Sequence, residues 1–492
     1  MNIDFLCVCL CYNEAYVCLI GGMNMVNGSV QLWDSGVWSL IVTAAILLGS
    51  MLIANALRLR VQFLRRSLVP SSVIAGFLVL LERWAYKAIT GNQLLDVSML
   101  ETLTYHGLGL GFVCLALRNL KKDKDANAKR DVFNTALVVV NTYLIQGIAG
   151  LAISIILFYA IGSFAASGML LPMGFGQGPG QAYNWGHNFQ ELGFEGGVSF
   201  GLSVAACGFI GASLGGVIYL FIMRRRGLVK FTENAEQIEN LSAESISSPN
   251  EIPMSESMDK LTVQFAMIIV TYALAYAFMW GMNELFGGIK FYDNTVKPLI
   301  WGFNFLIGTA MAVFMKVIFA GFKKMGLMHR EYLNNFMMNR VSGLMFDIMV
   351  VASIAAIDLT AFRRKEFLIP LISICAVGMI LTFIYCRFVS KRLFASYEHE
   401  AFLSLYGMLT GTASTGVILL REIDPKFETP ASNNLVFQSL WAIVFGFPML
   451  LLMGYVTKSM TWAFLTLAIM AVLLVLMNAL LFRKQLKQRA QK

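Results

Sequence analysis

The apolar residues of this chain gather into blocks of about 17–25, the length that a helix rising 1.5 Å per residue needs to cross a hydrocarbon core. No other feature limits the fold as tightly. Hydropathy predicts spans near 36–57, 68–88, 100–117, 132–161 and 197–222, and again near 261–285, 298–319, 340–358, 367–387, 432–455 and 460–482. With 57% of its residues hydrophobic, 14% charged and a mean hydropathy of +0.67, the chain is too apolar for a soluble globule or a disordered polymer. It reads as an all-α polytopic membrane protein in contact with a lipid bilayer.

Segment 223–259 divides the blocks into two sets. It holds seven acidic and four basic residues with Pro249, Pro253 and several serines, the composition of a linker. The net charge of +9 would suit a nucleic-acid partner, but the basic residues sit at the ends of apolar blocks, which excludes that reading. With the N-terminus outside and the C-terminus cytoplasmic, the cytoplasmic segments hold 27 Lys and Arg against six on the other side. That asymmetry is expected of a multi-pass protein of the cell's inner (plasma) membrane. The outer loop with Arg363, Arg364 and Lys365 runs against it.

The two sets match at an offset of roughly 225–240 residues. Each has five crossings and one Gly-rich segment, 168–190 or 403–421, too polar and interrupted to be an ordinary crossing. An odd number of crossings inverts the second set. The expected fold is therefore two inverted repeats of five transmembrane helices, at 36–222 and 260–457, each with a re-entrant hairpin. Residues 458–492 add one extra C-terminal helix and a basic tail. Discontinuous segments at matching positions mark the binding site in many secondary transporters. Residues 1–35 form an N-terminal extension whose apolar stretch carries Asp4, Asn13 and Glu14 and lacks a basic n-region, so it makes a poor signal peptide. A start at Met23 or Met25 is the expectation there, with Cys7, Cys9, Cys11 and Cys18 falling in the extra stretch.

The first Gly-rich segment alternates glycines with Gln177, Pro179 and Gln181, so no stable helix runs through it. A broken helix frees N–H groups for an anion and carbonyls for a cation, and it survives in lipid only beside a wet cavity or a ligand. Gly176, Gln177, Gly178, Pro179, Gly180, Gln181 and Asn184 are the candidate solute contacts, joined from the second segment by Gly411 and Thr412. Hydroxyl and carbonyl oxygens suit sodium, which makes Thr410, Thr412, Ala413, Ser414 and Thr415 candidate ion ligands. Asp347, mid-span, is a further candidate for sodium or a proton. Sodium is the only metal expected, as coupling ion, with no structural metal and no other cofactor.

The remaining polar residues of the spans read as structural. Lys316 is expected to snorkel, Glu82 and Arg83 to form an interfacial pair, and His106 to be a satisfied packing histidine; His187, at the outer leg of the first hairpin, has no firmer role. Cys114, Cys207, Cys375 and Cys386 lie in apolar blocks without CxxC spacing and pack as small hydrophobes. No HExxH pair, strand–GxSxG–helix nucleophile elbow or intramembrane aspartate pair occurs, so the chain does not read as an enzyme. A proton-coupled carrier of another small solute and a solute channel are the alternatives to a sodium-coupled carrier.

Val69-Pro70-Ser71-Ser72-Val73-Ile74-Ala75-Gly76, the Gly-rich stretch 174–185 and its counterpart 407–416 resemble the bacterial sodium/glutamate symporter family, over about residues 30–455. The resemblance implies a homodimer that moves glutamate or a related small organic anion with sodium by elevator-like alternating access. Gln177 and Pro179 stand where that family resembles a His and a Thr.

Overall fold

The computed structural model describes residues 35–118, 126–228, 259–290, 292–326, 330–424 and 429–483. The N-terminal extension, most of the linker and most of the basic tail lie outside the described residues. The described chain is helical throughout. Its first half forms α1 (Ser35–Arg60), α2 (Gln62–Arg66), α3 (Ser71–Thr90), α4 (Val97–Leu117), α5 (Ala126–Ile161), α6 (Leu170–Gly176), α7 (Pro179–Glu191) and α8 (Gly197–Arg225). Its second half forms α9 (Lys260–Phe286), α10 (Lys297–Gly302), α11 (Asn304–Lys324), α12 (Asn335–Ala355), α13 (Lys365–Leu393), α14 (Glu398–Thr410), α15 (Ala413–Arg421), α16 (Ala431–Phe437), α17 (Ser439–Met453) and α18 (Met460–Leu481).

Short polar side chains start the long apolar helices. Asp96 accepts from the Ser98 N–H, Asp259 from those of Leu261 and Thr262, Asn334 from Met337, and Ser459 from Trp462. At the other ends Arg58 and Arg60, Arg224 and Arg225, Lys323 and Lys324, and Lys391 and Arg392 lie in last turns, where the helix dipole favours cations.

Among the described residues, nine helices are long and apolar enough to cross a membrane: α1, α4, α5, α8, α9, α11, α12, α13 and α18. Two of the eleven expected spans fall short of that description. Every 18-residue stretch of α3 holds Glu82, Arg83 and Lys87. The 431–453 stretch keeps helical dihedrals through Gln438, but only Trp441–Met453 is apolar throughout.

The helices pack as two groups. In the first, α1 packs on α3 and α9 on α11; α3 packs on α12 and α11 on α4; α4 and α12 lie against each other. That pattern is unchanged when α1, α3 and α4 are exchanged with α9, α11 and α12. In the second group α5 faces α13, α6 packs on α5, α14 on α13, α8 on α6 and α14, and α17 and α18 on α5. The groups meet chiefly where α7 lies against α4, α10 and α12.

Two half-buried cations follow the same exchange. Lys316, on α11, donates to the carbonyls of Ala116 (3.3 Å) and Arg118 (2.7 Å) at the end of α4, rather than snorkelling away from the protein. Arg83, on α3, donates to the carbonyl of Ala355 at the end of α12. The expected Glu82–Arg83 pair is not formed among the described residues, because neighbouring helical side chains point apart: Glu82 is exposed while Arg83 turns to the α12 end. His106 is satisfied as expected, with Nδ1 2.9 Å from the Tyr272 hydroxyl. The discordant basic cluster also acquires partners: Arg364 pairs with the carboxylate of Glu195 and donates to its carbonyl, and Lys365 lies 4.0 Å from Glu366.

Candidate functional site

Both Gly-rich segments are helix–break–helix units, for different local reasons. In the first, Gln177 closes α6 by donating its N–H to the Pro172 carbonyl at 3.3 Å. Gly178 then adopts φ +88, ψ 179, a region open essentially to glycine alone. Pro179 restarts the chain as α7, where its missing N–H costs nothing. The next two backbone N–H groups, of Gly180 and Gln181, take no hydrogen bond among the described residues. In the second unit α14 ends at Thr410, Gly411 (φ −128, ψ −104) and Thr412 (φ −143, ψ 171) are extended or irregular, and α15 begins at Ala413. The N–H groups of Ala413, Ser414 and Thr415 take no hydrogen bond among the described residues, and the first α15 bond is Gly416 N–H to the Thr412 carbonyl at 3.0 Å.

The two breaks face one another. A Cβ placed on Gly178 would sit 3.3 Å from the Thr412 methyl. Helix α8 runs past both units: its Gly201 abuts the Ala182 carbonyl in the first, while Gly215 and Gly216 abut Tyr406 and Leu419 in the second. Between them lies Gly208, flanked by Phe175 of the first unit and by the Thr410 carbonyl of the second. A Cβ there would be 2.2 Å from that carbonyl oxygen, so only glycine lets the second break reach α8. On the other side α5 holds both broken ends with residues one turn apart. The Tyr143 hydroxyl donates to the Gly176 carbonyl at 3.0 Å, and the Gln146 amide donates to the Leu409 carbonyl and to the Thr382 hydroxyl, each at 2.9 Å. Tyr143, Gln146, Thr382 and Gly208 were not among the residues expected from sequence. Gln146 shares its apolar span with Asn134 and Asn141, and the sequence does not mark which of these amides holds a break.

No Asp, Glu, Lys, Arg or His occurs in 170–186 or 401–420, so charge at this junction is met by main-chain dipoles, hydroxyls and amides. Gly176, Gly178, Pro179, Gly180, Gln181 and Asn184 are buried at or just beyond the first break, and Gln177 is half-buried. Gly411 and Thr415 are buried, Thr412 is half-buried, and Ala413 and Ser414 are exposed. The Thr412 and Thr415 hydroxyls stand 3.4 Å apart across the first turn of α15. Thr410 instead donates to its own helix, to the Tyr406 carbonyl at 2.6 Å, which occupies its proton and leaves only a lone pair. Asp347 faces Ser72, in the first turn of α3, within the other helix group. No cluster of three or more His, Cys, Asp or Glu able to hold a metal ion occurs among the described residues. Comparison with sequence models of known families, with curated proteins and with solved structures finds no match to this chain.

Proposed function

We propose that this chain is a secondary active transporter, most simply a sodium-coupled symporter of glutamate or a related small organic acid, working by alternating access. The observation that carries the reading is the meeting of two broken helices with free N–H groups on both sides and no ionisable side chain between them. An unbonded peptide group in lipid is costly, so such a junction persists where a ligand or water completes it. The N–H groups of Gly180 and Gln181 would hold a carboxylate, and oxygens around Thr412, Ala413, Ser414 and Thr415 a sodium ion.

Two inverted repeats with re-entrant hairpins are the architecture this reading assigns. Support comes from the first helix group, whose packing is unchanged on exchanging α1, α3 and α4 with α9, α11 and α12. Arg83 and Lys316, the cationic caps, lie 233 residues apart, as do Gly178 and Gly411 at the breaks and Ser71 and Asn304 at the starts of α3 and α11. In the elevator form of the motion, the group built on α5, α8 and α13 would slide against the group built on α4 and α12. An inner-membrane location and a homodimer follow from the charge asymmetry and from the resemblance, respectively. A proton-driven version would use Asp347, the one carboxylate deep in a span beside a helix start.

Uptake into proteoliposomes, with a panel of labelled amino and dicarboxylic acids and with and without a sodium gradient, tests the reading. Concentrative, sodium-dependent uptake with counterflow exchange is expected. Flux that only equilibrates, without counterflow, would indicate a channel, and uptake driven by a pH gradient alone would move the coupling role to Asp347.

A further inference from the structure

Unbonded buried polar atoms gather on one helix face. On α7, Gln181, Asn184, Trp185 and Asn188 follow i, i+3, i+4, i+7 and share a side. Gln181, Asn184 and Trp185 are 1%, 4% and 3% exposed. Both amide atoms of Gln181, Oδ1 of Asn184, Nε1 of Trp185 and Nδ2 of Asn188 are buried without a partner. This face lies on the junction of α10 and α11, itself an interruption at Phe303 (φ −107, ψ 35). Asn184 Nδ2 donates to the Gly302 carbonyl at 2.6 Å, and the Trp185 and Phe303 rings are 5.8 Å apart. The stripe therefore occupies the boundary between the two helix groups. Buried amides are almost always bonded, so five orphaned atoms on one face at such a boundary call for an occupant that bonds them.

The atoms define the occupant's chemistry. Three are N–H donors and two are oxygen acceptors, and no cation faces them. On the packed elements, Glu101 of α4 faces Tyr183 and His187, His106 is bonded to Tyr272, and Asp347 of α12 faces Ser72; His187 is also 3.4 Å from Glu191 at the exposed end of α7, and Lys297 is exposed at the start of α10. An anionic head would meet the two oxygens and Glu101 with no counter-charge, and an ammonium would meet the three N–H groups. An uncharged carboxamide, which donates two hydrogen bonds and accepts two, complements both kinds of atom without an unpaired charge, and water completes those it does not reach. From Gln181 the stripe runs about 5 Å to Asn184 and Trp185 and about 10 Å to Asn188, so a carboxamide amino acid, roughly 7 Å from carboxylate to amide, places its amide between them when its carboxylate rests on the N–H groups of the first break.

We propose that this stripe binds the carboxamide end of the transported solute, so that the carrier favours a carboxamide amino acid over a dicarboxylate; the proposal rests on the transport reading above. Equilibrium binding of tritiated L-glutamine and L-glutamate to the purified full-length protein in sodium buffer tests it. Glutamine is expected to bind about tenfold or more tightly than glutamate. Asn188→Leu and Trp185→Phe should weaken glutamine by about tenfold and glutamate by less than about threefold. Tighter glutamate binding, or variants that bind both probes like the wild type because only water fills the stripe, would overturn the proposal. Binding of neither probe would also overturn it. In that case sodium-driven uptake of another solute by the same preparation would leave the transport reading standing, and its absence would remove both.

Discussion

Gly208 and Gly178 carry the site in different ways. Adding a methyl at Gly208 places it 2.2 Å from a backbone oxygen that has nowhere to move without shifting the second break. Gly208→Ala should therefore lower uptake by about tenfold or more while leaving membrane insertion intact. Gly178→Val combines a backbone conformation closed to L side chains with a contact on Thr412, and should abolish uptake. Gly49→Ala is the control: nothing lies within 4 Å of its Cβ position, and uptake in proteoliposomes should match the wild type. At this scale the sequence was only partly legible. The alternating glycines announced the first break, but four hydroxyls in the second segment could not be ranked, and Thr410 proves bonded to its own helix. Tyr143 and Gln146 were hidden because the carbonyls they hold lie 33 and 263 residues away.

Helix ends explain the charges that hydropathy left over. Arg83 and Lys316 each sit on the carbonyl end of a neighbouring helix, and neither has a carboxylate partner in that contact. Replacing either with Gln should destabilise the detergent-solubilised protein by about 1–2 kcal/mol, read as a lower melting temperature. The two losses should add in the double variant, because the sites share no partner. Helix existence was plain from the apolar blocks, whose lengths left little choice. What could not be read was the neighbour: Arg83 lies next to Glu82 in sequence, yet its acceptor is 272 residues on. Likewise the outer Arg364 looked misplaced until α8 brought Glu195 beside it. The α10–α11 interruption was also missed, since an apolar stretch predicted as one span from 298 hides a break at Phe303 that no glycine run or proline marks.

On the scale of the whole molecule, two helix groups touch mainly through α7, and motion between them is the step that transport requires. A Cβ on Gly302 would lie 3.6 Å from the Asn188 amide nitrogen. With native cysteines replaced by alanine, a Gly302→Cys, Asn188→Cys pair should therefore cross-link under mild oxidation. The cross-link should stop uptake, and reduction should restore it to the level of the reduced double variant, which Asn188→Cys itself lowers; uptake at that level by the cross-linked protein would show that the groups need not part at α7.

The central claim is that solute is held where the two breaks meet, and Ser414, exposed at the second break, reads it most directly. The rate at which a membrane-impermeant thiol reagent modifies Ser414→Cys in proteoliposomes, with and without saturating L-glutamine or L-glutamate plus sodium, is the measurement. The account predicts that solute and sodium together slow the reaction by about tenfold. An unchanged rate in the presence of a solute that the same vesicles take up would contradict it.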